Sequence, residues 1–161
     1  MVNFNVNWDR WIKSSVAKHF NDESLIGINE NQTVLFIEGF ERNTDGKKDW
    51  IEFRLDGPYY EETTKGHWKI EIEVNILVVV NEQKNPYRPE YLKGRVVQLF
   101  TTCFDVFKYG ESEEDDNLKL GCFTLKTSGR EKILTTNFGK VRPDTRQLQS
   151  SVEGHFVMYL D

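Results

Sequence analysis

The chain of 161 residues has little that would build a covalent or metal-held framework. Its two cysteines, Cys103 and Cys122, are far apart and in no metal-ligand spacing, which excludes a disulfide scaffold or a zinc knuckle. Both read as free, buried thiols of a reducing compartment, Cys103 on the apolar face of a helix. Of the three histidines, none has a second His or Cys at ligand spacing. There is no G-x-S-x-G elbow, and glycines such as Gly27, Gly57 and Gly139 never gather into a phosphate loop. The longest apolar run, Ile76 to Val80, falls far short of the ~20 residues that span a bilayer. Met1 to Asp9 has no basic segment followed by an apolar run, so no signal peptide is expected and a cytoplasmic protein is. Positive charge is also in deficit. A net charge of -5 and a pI near 5.3 argue against a basic groove for nucleic acid, because phosphate binding needs clustered Lys and Arg.

What the chain does have is enough apolar and aromatic material for one core. Hydrophobic residues make up 38% and aromatics 13%, including four Trp and eleven Phe, which excludes a disordered chain even at a mean hydropathy of -0.60. The length fits a single domain over residues 1–161. Trp8, Ile12, Val16 and Phe20, with Trp11 beside them, mark one face of a helix, with Asn7 as N-cap and Asn21-Asp22 as stop. Thr33 to Arg42 and Asp49 to Leu55 read as strands joined through an Asp45-Gly46 turn. Trp68, Ile70, Ile72, Val74, Ile76, Val78 and Val80 alternate with Lys69, Glu71, Glu73 and Asn75. This is a strand with one buried face, covered on both sides where Leu77 and Val79 make the second face apolar. After Pro86 and Pro89, Leu92 to Phe107 follows helical spacing up to Gly110, and Gly94 would let another backbone come close. Leu118 to Lys126, Glu131 to Phe138 and Gln147 to Leu160 read as three more strands, the last with Val152, Phe156, Met158 and Leu160 on one face. Helix, three strands, helix, three strands makes an α+β domain: a mostly antiparallel sheet packed on two helices as a two-layer sandwich.

No catalytic constellation emerges, and no cofactor or metal is expected. His19 and His155 have structural or surface settings, and the paired carboxylates look solvated rather than held in unlike environments within a cleft. Interaction features remain. Asp56 to His67 reads as a long projecting loop carrying Pro58, Tyr59, Tyr60, Glu61 and Glu62, with Trp68 just past it, and such rings are favoured at interfaces. Asn137 to Gln149, "NFGKVRPDTRQLQ", reads as a second arm, in which Arg142, Asp144 and Arg146 can pair with an acidic neighbour.

The order of elements resembles the tail terminator proteins of long-tailed, siphovirus-type bacteriophages. The likeness rests on the amphipathic helix Trp8 to Phe20, the excursion "RLDGPYYEETTKGHWKIEIEVNILV", the helix after a Pro-rich break "NPYRPEYLKGRVVQLF", and the closing strands. It implies a structural, non-enzymatic virion protein, assembled in the host cytoplasm. Six copies would form a ring that caps the head-proximal end of the tail tube, stops its growth and joins the tail to the head connector. The partners implied are further copies, the tail tube protein and the head-connector protein, with DNA passing through the lumen unbound and no membrane involved. On this reading Pro58, Tyr59, Tyr60, Glu61, Glu62 and Trp68 meet tube or ring neighbours. Glu71, Glu73, Glu111, Glu113, Glu114, Asp115 and Asp116 are lumen candidates, since acidic walls avoid holding phosphates. Competing readings are another neck or tail completion protein, a tube subunit, a peptide-binding module using the Tyr-rich loop, and, weakest, a metal-dependent hydrolase.

Overall fold

The fold is described from a computed structural model over residues 6–20, 35–37, 49–81, 87–100, 103–109, 118–126, 133–140 and 147–160. The elements in chain order are α1 (Trp8–Phe20), β1 (Leu35–Ile37), β2 (Asp49–Thr64), β3 (His67–Val80), α2 (Arg88–Phe100), β4 (Phe104–Phe107), β5 (Lys119–Leu125), β6 (Leu134–Lys140) and β7 (Leu148–Leu160).

β3 organises the sheet. Its alternating pattern is met along its whole length by β2 on one side and β7 on the other, both antiparallel, from Asp49↔Val80 to Thr64↔His67 and from Trp68↔Leu160 to Val80↔Leu148. Ile70, Ile72, Val74, Ile76, Val78 and Val80 are all buried on the face that both helices cover. Val152, Phe156, Met158 and Leu160 of β7 lie opposite even-numbered residues of β3 and join that core. At one end the second face is closed as well: Trp50, Glu52, Val79 and Ser151 are buried there.

The sheet is mostly antiparallel and has two helices against it, which fits an α+β sandwich. α1 starts with the carbonyl of Asn7 accepting from the amide of Trp11 at 2.9 Å. It has Asp9 in its first turn and Lys18 and His19 in its last, as the helix dipole favours. Its buried stripe of Trp8, Trp11, Ile12, Val16 and Phe20 is the one that the spacing marks. α2 buries Leu92, Val96, Leu99 and Phe100, and its N-terminal end is tied to the sheet where Arg88 Nε donates to Asp49 Oδ2 at 2.8 Å.

Four expectations need correction. Residues 56–67 are not a projecting loop: β2 runs on to Thr64, and only Lys65 and Gly66 form the turn, with Gly66 at φ 87°. The tyrosines and threonines there favour strand, and Gly57-Pro58, which reads as a break, forms a bulge instead. β1 is parallel to β2 (Leu35↔Ile51 to Ile37↔Phe53), so a tight hairpin does not join them, since parallel neighbours need a crossover. The Asp45-Gly46 and Asn21-Asp22 signals lie outside the described residues. The second helix ends at Phe100, and Phe104–Phe107 is a strand whose Phe104 and Val106 point into the core while Cys103 is exposed. Over so short an apolar stretch periods of 2 and 3.6 coincide. Finally, among the described residues a Cβ at Gly94 would meet nothing within 4 Å, so no close backbone approach by any of them explains that glycine.

The free edge of β7 is shared. β6 pairs with residues from Leu148 to Glu153, and β5 with Phe156 and Val157. Between these two stretches is Gly154, where a Cβ would lie 2.6 Å from Cδ1 of the buried Phe100. Gly154→Ala is therefore expected to destabilise the fold by about 1–3 kcal/mol through overpacking. Gly94→Ala, in an open helical position, is expected to stabilise it by about 0.5–1 kcal/mol. Urea denaturation of the two variants against the parent checks both signs.

Candidate functional site

The outer half of β2 is where the sequence-marked aromatics and carboxylates fall. The register against β3 slips by one residue between Asp56↔Glu73 and Tyr59↔Glu71, at a bulge containing Gly57 at φ 98°. A one-residue slip exchanges the two faces for everything beyond it. Tyr60, which unbroken alternation would place on the outer face, thus stands opposite the buried Ile70 on the helix side. Its hydroxyl donates to Asp9 Oδ1 in the first turn of α1. Partial burial, and then this hydrogen bond, raise the Tyr60 phenol well above its ordinary value of 10.0. Tyr59 faces the other way and is 53% exposed. A hydrogen bond with Asp56 raises its phenol too. Glu61 stands opposite Lys69 and Glu62 opposite Trp68, with Lys69 Nζ 3.4 Å from Glu61 Oε2. Glu62 Oε1 also accepts from the Gly66 amide at 2.9 Å and so closes the hairpin tip.

Pro58, Tyr59, Tyr60, Glu61, Glu62 and Trp68 are thus brought together as neighbours on two paired strands. They divide into a helix-side set, Tyr60, Glu62 and the half-buried Trp68, and an outer set, Tyr59 and Glu61. Among the described residues no strand pairs with the outer edge of β2 beyond Phe53.

Glu71 and Glu73 are on the outer face of β3, but neither is an isolated charge. Glu71 Oε1 lies 2.8 Å from Lys69 Nζ and 3.1 Å from Lys126 Nζ, and the two lysines, Lys69 first, hold its carboxyl below the ordinary 4.5. Glu73 Oε1 is 3.6 Å from His155 Nε2, a charged pair only when the imidazole is protonated. This face therefore shows mixed charge rather than an acidic wall. Glu111, Glu113, Glu114, Asp115 and Asp116 lie outside the described residues, as do Arg142, Asp144 and Arg146.

Sequence reading missed the exposure of β6. All seven of its residues are exposed, including Leu134 at 50% and Phe138 at 55%, although one edge pairs with β7 on both sides of an irregularity at Phe138. The available signal was the want of any apolar alternation in "LTTNFGK", a strand that buries neither face. Lys93 of α2 donates to Asn137 Oδ1 at 2.9 Å. Among the described residues the sheet thus has two stretches of exposed side chains, the outer part of β2 and β6.

His19 is structural: its ring stacks on Phe104 at 4.7 Å, and its Nε2 lies 3.2 Å from the carbonyl oxygen of Leu99. Beside it is an open cavity of about 280 Å³, lined by Ser15, Lys18, Cys103, Asp105 and Tyr109 among others. Among the described residues no three His, Cys, Asp or Glu side chains are grouped to hold a metal ion. No protein-family model matches this chain, and no curated protein matches it either.

Because the folded-state pKa of Glu71 is depressed, its ion pairs add stability above the ordinary carboxylate value of 4.5 and lose it as pH falls through the lowered value. Lys126→Met is expected to move the Glu71 midpoint up towards 4.5 and to weaken the fold only on the neutral side of that transition. A carboxyl-carbon NMR titration follows the midpoint. An unmoved midpoint would show that Lys69 alone sets it.

Proposed function

We propose that this chain is a structural component of a phage tail, a terminator that forms a ring on the head-proximal end of the tail tube, stops tube growth and presents a surface to the head connector. The observation that carries this reading is the sheet's two exposed flanks. Tyr59 and Glu61 stand exposed on the outer part of β2, and tyrosine rings are favoured at protein interfaces. β6, exposed on both faces, offers Leu134 and Phe138 at the other flank. A subunit with two different exposed flanks is suited to head-to-tail association, which closes into a ring when the rotation between copies permits. Tyr59 and Glu61 are the outer-face residues proposed to touch a tube or ring neighbour, and Glu62 and Trp68 would shape the tip. The net charge of -5 fits a ring through which DNA slides without phosphate contacts.

The order of elements, helix, long hairpin, helix and closing strands, supports the same reading. In it the chain makes and breaks no bond. Its partners are further copies, six in the complete ring, together with tube and connector proteins, and its place is the virion tail.

Light scattering and negative-stain imaging of the purified chain, alone and with siphovirus tail tubes, test the proposal. Rings, or monomers that become rings on tube ends, are expected. A chain that stays monomeric and leaves tubes bare overturns it, and long filaments would point to a tube subunit instead. The double variant Tyr59→Ser with Glu61→Lys is expected to lose tube-end binding by tenfold or more, on the order of 1.4 kcal/mol. Its folding stability should stay within about 0.5 kcal/mol per exposed substitution.

A further inference from the structure

Cys103 and Cys122 are distant in the chain but neighbours in the fold. β4 and β5 pair antiparallel with Asp105 opposite Cys122 and Phe104 opposite Phe123. Cys103, two residues before Asp105, therefore lies on the same face as Cys122, one diagonal step along the ladder. Burial first, and then hydrogen bonding with Cys103 and Asp105, push the Cys122 thiol up to about 11. Both cysteines are free; Cys103 is exposed at the cavity beside His19, and Cys122 is half-buried. Diagonal Cβ atoms in a ladder start out somewhat too far apart for a disulfide, which needs roughly 3.5–4.5 Å. Cys103, however, precedes the first ladder pair, Phe104↔Phe123, so its backbone can move towards Cys122 without breaking a rung.

We propose that Cys103 and Cys122 are a redox pair, which a small-molecule disulfide such as oxidised glutathione converts into an intramolecular disulfide. The Cys103 thiolate attacks one sulfur of the small disulfide, forming a mixed disulfide and expelling one thiolate. Cys122 gives up its proton to solvent and attacks the Cys103 sulfur, expelling the second thiolate. Two protein thiols are oxidised to one disulfide, and one small disulfide is reduced to two thiols, so electrons and protons balance. The exposed sulfur is the attacking group and the half-buried one resolves the intermediate. The bond would tie the segment that follows α2 to β5 and leave the outer half of β2 untouched, so this inference stands independently of the proposed function.

The folded chain is incubated with oxidised glutathione at mildly alkaline pH, alkylated without denaturant, and weighed intact by mass spectrometry. The expected product has lost the mass of two hydrogen atoms, carries no glutathione and yields a Cys103–Cys122 cross-linked peptide. Cys122→Ser is expected to stop at the mixed disulfide, with one glutathione on Cys103, and Cys103→Ser to react at least tenfold more slowly. A parent chain that keeps both thiols, accumulates as the glutathione adduct, or forms only disulfide-linked dimers overturns the proposal. Circular dichroism of both variants confirms that they are folded before their reactivity is compared.

Discussion

The ring of Phe20 is where the layers of this molecule meet. At the last turn of α1 it lies 5.5 Å from Phe53 of β2, 5.3 Å from Phe100 of α2, 5.9 Å from Phe104 of β4 and 6.0 Å from Phe156 of β7. One fully buried side chain thus touches a ring from four other elements. Such contacts add about 0.5–1.5 kcal/mol per pair beyond the area they bury. Their geometry matters as much as their energy. Rings at these distances fix how far each helix sits from the sheet, and so where the start of α1 can meet Tyr60. The orientation of the hairpin relative to the helix layer is set from this cluster outward.

The same physics decided what could be read from the residues alone. β3 was legible because seven apolar residues at every second position admit one arrangement, and β7 because Val152, Phe156, Met158 and Leu160 repeat it. α1 was legible from a stripe that only a 3.6-residue period satisfies. Phe104–Phe107 was not, because its four residues continue the spacing of α2 and only tertiary pairing with β5 turns them into a strand. The parallel placement of β1 depends on a long-range partner, about which a local turn signal such as Asp45-Gly46 says nothing.

The surface between residues 56 and 68 was found as a place and misread as a shape. Its aromatics and carboxylates stood out by composition, but a bulge at Gly57-Pro58 looks in sequence like the start of a loop. The consequence of the bulge could not be read either. The added residue turns Tyr60 inward to Asp9 and leaves Tyr59 outward, so two adjacent tyrosines that look alike do different work. Glu71 reads in sequence as an acidic surface charge; Lys69 is two residues before it on the same strand face, but the second lysine that compensates it, Lys126, is 55 residues away and is brought near only when β5 is laid beside β7.

The division of β7's edge between β5 and β6 has a mechanical meaning. Among the described residues β5 stays beside β7 for two ladder pairs, Thr124↔Val157 and Leu125↔Phe156, and β4, paired with β5, lies against α1. There the Phe107 amide donates to Ser15 Oγ at 3.0 Å, and the Tyr109 carbonyl accepts from Arg10 Nη2 and from Trp11 Nε1, each at 3.0 Å. The β4–β5 hairpin is thus a strap, hinged on two rungs and buckled to the first helix. Local opening of the strap has to break its bonds to α1 as well as its rungs to β7, so the first helix and the far side of the sheet are fastened through one short piece of chain.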